Sequence, residues 1–224
     1  MSEKEINMIT IGVTGGVGAG KSEILRHLKE HYNSRILMSD NAAKDLERPG
    51  GPLYEPLVAL LESEEGRKGM AEPLLLPDKE INKAEMARRI FADAAILSKI
   101  NQLVHPAVNQ YILDEIERER KEGKREFFVL ESALLLENGY DKILDSMWYI
   151  YCDERVRAQR LQASRGYSEE KIRSIMNKQV SEAQFREVCD VVIDNSGELG
   201  GPDGALAQVD AAIERIRRQF SCAQ

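Results

Sequence analysis

Apolar and polar positions alternate in two rhythms along this chain. Five short runs are almost wholly apolar: MITIGVT (8–14), RILMS (35–39), FFVLE (127–131), MWYIYC (147–152) and DVVIDN (190–195). Brief runs of β-branched and aromatic residues, closed by polar or turn residues, read as strands buried on both faces. Segments of helical period separate them. The clearest is EILRHLKEHY (23–32), with Ile24, Leu25, Leu28 and Tyr32 on one face. Strand and helix in alternation predict an α/β fold, a mostly parallel five-stranded sheet with helices on both faces.

The interval between the second and third runs is too long for one crossover helix, so residues of about 41–125 are expected to form a helical insertion. Its first half, GGPLYEPLVALLESEEGRKGMAEPLLLPD, is broken by Pro and Gly and predicts short helices with an irregular link. From Lys83 the pattern becomes regular. Ile96, Ile100, Leu103, Val104, Val108, Tyr111, Ile112 and Ile116 trace one long stripe, a core face, in which Pro106 is expected to introduce a kink.

Directly after the first strand comes GVTGGVGAGKSE (12–23). Gly15, Gly20, Lys21 and Ser22 have phosphate-loop spacing, between a strand and a helix as that loop requires. Its glycines let backbone N–H groups converge on phosphate oxygens, and the helix that follows points its positive end at the same anion. ATP is therefore expected against Gly15, Gly16, Val17, Gly18, Ala19, Gly20, Lys21, Ser22 and Glu23. Lys21 would reach the β- and γ-phosphates and the Ser22 hydroxyl would hold Mg²⁺.

A phosphate loop alone does not separate a kinase from a switch or a motor. A guanine-reading N-K-x-D is absent, since NKAE (82–85) and NKQV (177–180) lack the aspartate, and no transporter signature is present. Kinase features are present. Asp40 ends the second strand run, where it would either accept the proton of an attacking hydroxyl or, with Ser39, cap the next helix. Glu131 closes FFVLE and would serve either Mg²⁺ through its waters or another strand-end role. Arg155, Arg157, Arg160 and Arg165 cluster in DERVRAQRLQASRGYSEEK, which Gly166 interrupts. They form either a solvated helix or a lid, over about 154–180, that brings cations to the transferring phosphoryl and excludes water. Asn195 sits in a turn after the last strand, or in a loop facing adenine. His105, mid-stripe before Pro106, has a structural reading.

Composition narrows the partners. The chain has 224 residues and a net charge of −7, the size of one domain with an inserted subdomain and a poor match to nucleic acid or an anionic membrane. Cys152, Cys189 and Cys222 have no metal-ligand spacing and suit reduced thiols. The polar start MSEKEINM is unlike a signal peptide, and no apolar stretch has spanning length. A cytoplasmic location is expected.

Taken in order, TGGVGAGKS (14–22), Asp40, PG (49–50), RIF (89–91), HP (105–106), LLLEN (134–138), QRLQASRGYS (159–168), Gln179 and DVVIDNSG (190–197) resemble the dephospho-coenzyme A kinase family over roughly residues 9–200. The resemblance implies a phosphate-loop kinase core, ATP and Mg²⁺. It also implies phosphorylation of the 3′-hydroxyl of dephospho-coenzyme A, and a monomer or weak homo-oligomer is expected. Within it Asp40, Lys21 and Arg160 are catalytic, Arg165 and Asn195 join the ATP site, and Lys44, Lys83 and His105 join Asp40 on the acceptor side. Met38 stands where an acid is common, Ala133 for a proline, Glu23 for a threonine, and Lys44 and Lys83 for arginines. Two other readings stand beside it: a different small-molecule kinase, and a regulatory module that binds ATP without transfer.

Overall fold

The computed structural model describes residues 7–133, 135–136 and 139–222. In chain order its elements are β1 (Ile9–Thr14), α1 (Lys21–His31), β2 (Ser34–Met38), α2 (Ser39–Glu47), α3 (Tyr54–Glu62), α4 (Lys83–Ala92), α5 (Ala94–Glu122), β3 (Phe127–Glu131), β4 (Ser146–Tyr151), α6 (Glu154–Arg165), α7 (Glu169–Met176), α8 (Glu182–Val188), β5 (Val191–Asp194) and α9 (Ala205–Ser221). The chain divides into two compact units, one of residues 37–118 and one of the flanking segments up to residue 36 and from residue 119 onward.

The five-stranded parallel sheet has the order β2-β3-β1-β4-β5 and, apart from Leu37 and Met38 at the end of β2, belongs to the flanking segments. β1 pairs in parallel with β3, from Ile9 opposite Phe127 to Val13 opposite Glu131, and with β4, from Ile11 opposite Ser146 to Thr14 opposite Tyr149. β4 pairs with β5 from Trp148 opposite Val191 to Tyr151 opposite Asp194. Each strand falls within a residue or two of an apolar run. Parallel strands flanked by helices bury both faces, so their sequences lack alternation; all six residues of β1 are buried. Ile24, Leu25 and Leu28 of α1 and Val209, Ile213 and Ile216 of α9 join Trp148 and Ile150 in one core cluster. Helix α1 starts at Lys21, two residues before the periodic stretch, because the left-handed Gly20 turns the loop into it.

The arginine-rich segment breaks where the sequence indicates. Gly166, left-handed at φ 62°, closes α6, and the Ser168 hydroxyl accepts from the Lys171 N–H to start α7.

After Met38, residues 37–118 are built mainly of α2 to α5, with an irregular link from 63 to 82, and Leu57, Leu61, Ile96, Ile100, Val108, Ile112 and Ile116 are buried. The regular pattern from Lys83 is two helices rather than one. Asp93 lies between them and its carboxylate accepts from the Ala95 N–H at 2.9 Å, capping the second. α5 continues through Pro106 to Glu122.

Candidate active site

Backbone conformation explains the glycines of the loop between β1 and α1. Gly15 has φ 149°, and a Cβ there would sit 2.5 Å from the Ile150 carbonyl oxygen; Gly20 has φ 87°. Both positions exclude a side chain. The Lys21 ammonium folds back over the loop, donating to the Gly15 carbonyl at 2.8 Å, with Glu131 Oε1 at 3.6 Å. Neither side chain is fully enclosed, at 17% and 12% exposure. Asn195, after β5, donates through Nδ2 to the Ala19 carbonyl at 2.8 Å, and its own N–H donates to the Tyr151 carbonyl. Two buried polar atoms at this end of the sheet have no hydrogen-bond partner among the described residues: Thr14 Oγ1 and Asn195 Oδ1. Leaving such a group unpaired costs about 1–3 kcal/mol.

Two arginines of α6 reach the loop. Arg157 donates through Nε to the Val17 carbonyl at 3.0 Å and through Nη2 to Gln179 Oε1. Arg160 donates to Cys152 Sγ at 3.4 Å, and its guanidinium lies 3.5 Å from where a Cβ on Gly20 would be. Burial pushes the Cys152 thiol above its ordinary range despite these cations, so it stays protonated. Arg165, at the C-terminal end of α6, is exposed and lies over the Tyr167 ring at 5.8 Å. Arg157 is the loop contact that the sequence reading did not assign. Its signal was the spacing: residues three apart share a helix face, which groups Arg157 with Arg160 and leaves Arg155 and Arg165 off it.

The donor set at the loop suits a hydrated Mg²⁺ rather than a protein cage. Ser22 is exposed in the first turn of α1, Glu131 ends β3, and no group of three His, Cys, Asp or Glu able to hold a metal occurs among the described residues. Mg²⁺ in such sites keeps waters and phosphate oxygens as most of its ligands.

Within residues 37–118, Asp40 lies in the first turn of α2, exposed and with no hydrogen bond or ion pair among the described residues. Met38 is the capping position, and no side chain caps the helix. The capping account of Ser39 and Asp40 is therefore corrected. Lys44 is exposed one turn further along α2. Lys83, the first residue of α4, pairs with Glu47 and is 56% exposed. His105 lines a shallow groove on α5 with Leu97, Asn101, Gln102 and Pro106.

The sequence profile of the dephospho-CoA kinase family matches residues 9–200. The chain belongs to the dephospho-CoA kinase family. A dephospho-CoA kinase from Thermobifida fusca is 31% identical over 208 residues, 93% of this chain and 98% of its own length. One from Corynebacterium jeikeium is 32% identical over 203 residues, 91% and 97% of the two chains. Two solved structures share the fold. TT1252 from Thermus thermophilus has a TM-score of 0.70 at 22% identity, covering 95% of this chain and 97% of its own. A dephospho-CoA kinase from Campylobacter jejuni has 0.67 at 18%, covering 94% and 98%.

As a dephospho-CoA kinase family member the chain is a transferase that uses ATP as phosphate donor in the final step of coenzyme A biosynthesis. The family's loop, RIF and HP segments and last-strand motif all fall on described residues. Of LLLEN, Leu134, Glu137 and Asn138 lie outside them. No described helix is long and apolar enough to cross a membrane.

Proposed function

We propose that the chain transfers the γ-phosphoryl group of ATP to the 3′-hydroxyl of dephospho-CoA, with Asp40 as general base and Lys21 as the cation at the transferring group. The observation that carries this reading is the loop: a lysine held on the Gly15 carbonyl beside Glu131, flanked by two buried polar atoms without partners among the described residues. A polyphosphate entering there offers Lys21 oxygen ligands that carry full charge.

The loop amides and the positive end of α1 hold the β- and γ-phosphates. Asp40 accepts the proton of the acceptor hydroxyl as its oxygen bonds to the γ-phosphorus, while the bond from that phosphorus to the β–γ bridging oxygen breaks and ADP leaves. An exposed carboxylate that neither caps a helix nor forms an ion pair among the described residues is available for that proton. Ser22 would hold Mg²⁺ with Glu131 acting through its waters, and the ion supplies charge neutralisation at the phosphates. Arg160 on α6 adds positive charge as the lid segment, about 154–180, closes over the phosphates. Arg165 and Asn195 attend the nucleotide. On the acceptor side, Lys44, Lys83 and His105 accompany Asp40 in binding dephospho-CoA, with Lys44 and Lys83 on its phosphates, beside a helical insertion of about 41–125. Three free cysteines suit reduced thiols in the cytoplasm and net charge −7 suits a small-molecule substrate rather than nucleic acid, the chain acting as a monomer or weak homo-oligomer.

A coupled ADP-release assay tests the assignment. Dephospho-CoA should exceed adenosine, AMP and uridine by at least about 10²-fold in kcat/KM, about 2.7 kcal/mol of discrimination. Equal values for AMP would promote a nucleotide kinase instead, and ATP binding without turnover would promote a regulatory module.

A further inference from the structure

Arg157 is the cation at the loop that the reaction scheme leaves out. Its guanidinium is used twice, donating through Nε to the Val17 carbonyl at 3.0 Å and through Nη2 to Gln179 Oε1, just beyond α7. It also lies flat against the loop. A Cβ built on Gly16 would come 2.5 Å from the guanidinium carbon and 2.8 Å from Nη1, so Gly16 leaves room for Arg157. Two residues further, a Cβ on Gly18 would meet the Arg157 carbonyl oxygen and the Leu161 side chain, both at 3.1 Å. Half of the loop is thus cast against one face of α6.

A carbonyl that accepts from a guanidinium is polarised, and the N–H of the same peptide unit, here that of Gly18, becomes a stronger donor. Gln179 fixes the guanidinium plane from its other side. We propose that Arg157 is a positioning residue that holds the phosphate loop in its nucleotide-binding shape through the Val17 carbonyl and the Gly16 face, with Gln179 orienting it. This rests on the loop being the ATP site.

The test measures ATP affinity, KM for both substrates, kcat and Tm in the parent, Arg157→Ala, Arg157→Lys, Gln179→Ala, Gly16→Ala and the Gly16→Ala/Arg157→Ala double variant. Arg157→Ala should raise KM for ATP about tenfold or more, with KM for dephospho-CoA changing less than about twofold. Gly16→Ala should do the same in the parent, since its methyl displaces the guanidinium. Added to Arg157→Ala it should cost less than about threefold more, because both changes remove one contact. Arg157→Lys should recover only part of the loss, as an ammonium lacks the planar fork that serves two acceptors. Gln179→Ala should fall between parent and Arg157→Ala. Additive effects of Gly16→Ala and Arg157→Ala, or a lowered Tm with unchanged KM for ATP, would overturn the inference. If Arg157→Ala does not fold, the Lys and Gln179 variants decide by the same split. A parent that binds no ATP would remove the loop reading and this inference together, whereas a parent that binds ATP beside indifferent variants removes only the inference.

Discussion

Two acid–base pairs, one in each unit, show how differently this chain uses charge. In the helical unit Glu85 and Arg89, both 0% exposed, are joined at 2.9 Å. Arg89 also donates to the Leu61 carbonyl and Glu62, and Glu85 also accepts from Arg88 and the N–H groups of Ala71 and Glu72. At the loop, Lys21 and Glu131 stand 3.6 Å apart, at 17% and 12% exposure, and the Lys21 ammonium donates to the Gly15 carbonyl. Buried charge is tolerated only when its hydrogen bonds are met, so the first pair is saturated and serves the packing of α3, α4 and the link between them. The second lies at the glycine loop, and under the proposed function its cation meets the transferring phosphoryl.

Removing each cation should separate the two uses. Lys21→Ala should lower kcat on the order of 10⁴-fold, about 5.5 kcal/mol of barrier, with an unchanged Tm. Near-parental turnover in a folded variant would end the contrast. Arg89→Ala should instead cost about 3–5 kcal/mol of stability, read from urea unfolding, because it strands a buried carboxylate. Its effect also has a pH signature. The Arg89 hydrogen bond holds the Glu85 carboxyl below the ordinary carboxylate range, against the opposing pull of burial. A depressed acid stabilises fully above its unfolded pKa, about 4.3, and loses that contribution as pH falls through its lower folded value. The variant should therefore acid-unfold at a higher pH than the parent; equal midpoints by circular dichroism would show that the pair contributes nothing.

The loop pair was legible in the sequence and the buried pair was not. Lys21 and Glu131 lie at a spaced motif and a strand end, both local signals. Nothing local in KAEMARRIFA marks Glu85 and Arg89 as buried, since their partners come from positions 61, 62, 71 and 72, which only the fold brings near. Strands were legible because a parallel sheet leaves continuous apolar runs; FFVLE matches β3 residue for residue. The boundary between α4 and α5 was not drawn from the sequence, because the apolar stripe begins only at Ile96 and one aspartate flanked by alanines is a weak cap signal. Position could not separate capping from catalysis at Asp40, since a carboxylate at a helix start serves both. The extended Met38 takes the capping position, which settles only the capping half of that question.

That result sharpens the next test. With no cap to lose, Asp40→Asn should change stability by less than about 1 kcal/mol, its share of the helix dipole. As a general base it should cost at least about 10²-fold in kcat, about 2.7 kcal/mol, with ATP affinity retained. Equal kcat for variant and parent at saturating substrates would move the base elsewhere, with Glu131 next.

The smallest effect belongs to a cation on the same helix as Arg89. Lys83 begins α4, pairs with Glu47 and is 56% exposed, whereas Arg89, on the same helix, is sealed. An exposed pair contributes about 0–1 kcal/mol, so Lys83→Ala should leave Tm within about 4 °C of the parent. If Lys83 meets an acceptor phosphate, its loss should raise KM for dephospho-CoA about tenfold, about 1.4 kcal/mol, and leave KM for ATP unchanged. Lys83→Arg should restore or improve binding, because a guanidinium grips phosphate with two parallel bonds. Glu47→Gln frees the ammonium from its partner and should lower the same KM if the pair competes with substrate. Should all three variants share the parental KM, the pair with Glu47 is the whole role of Lys83, and α4 would then carry two structural cations instead of one structural and one binding.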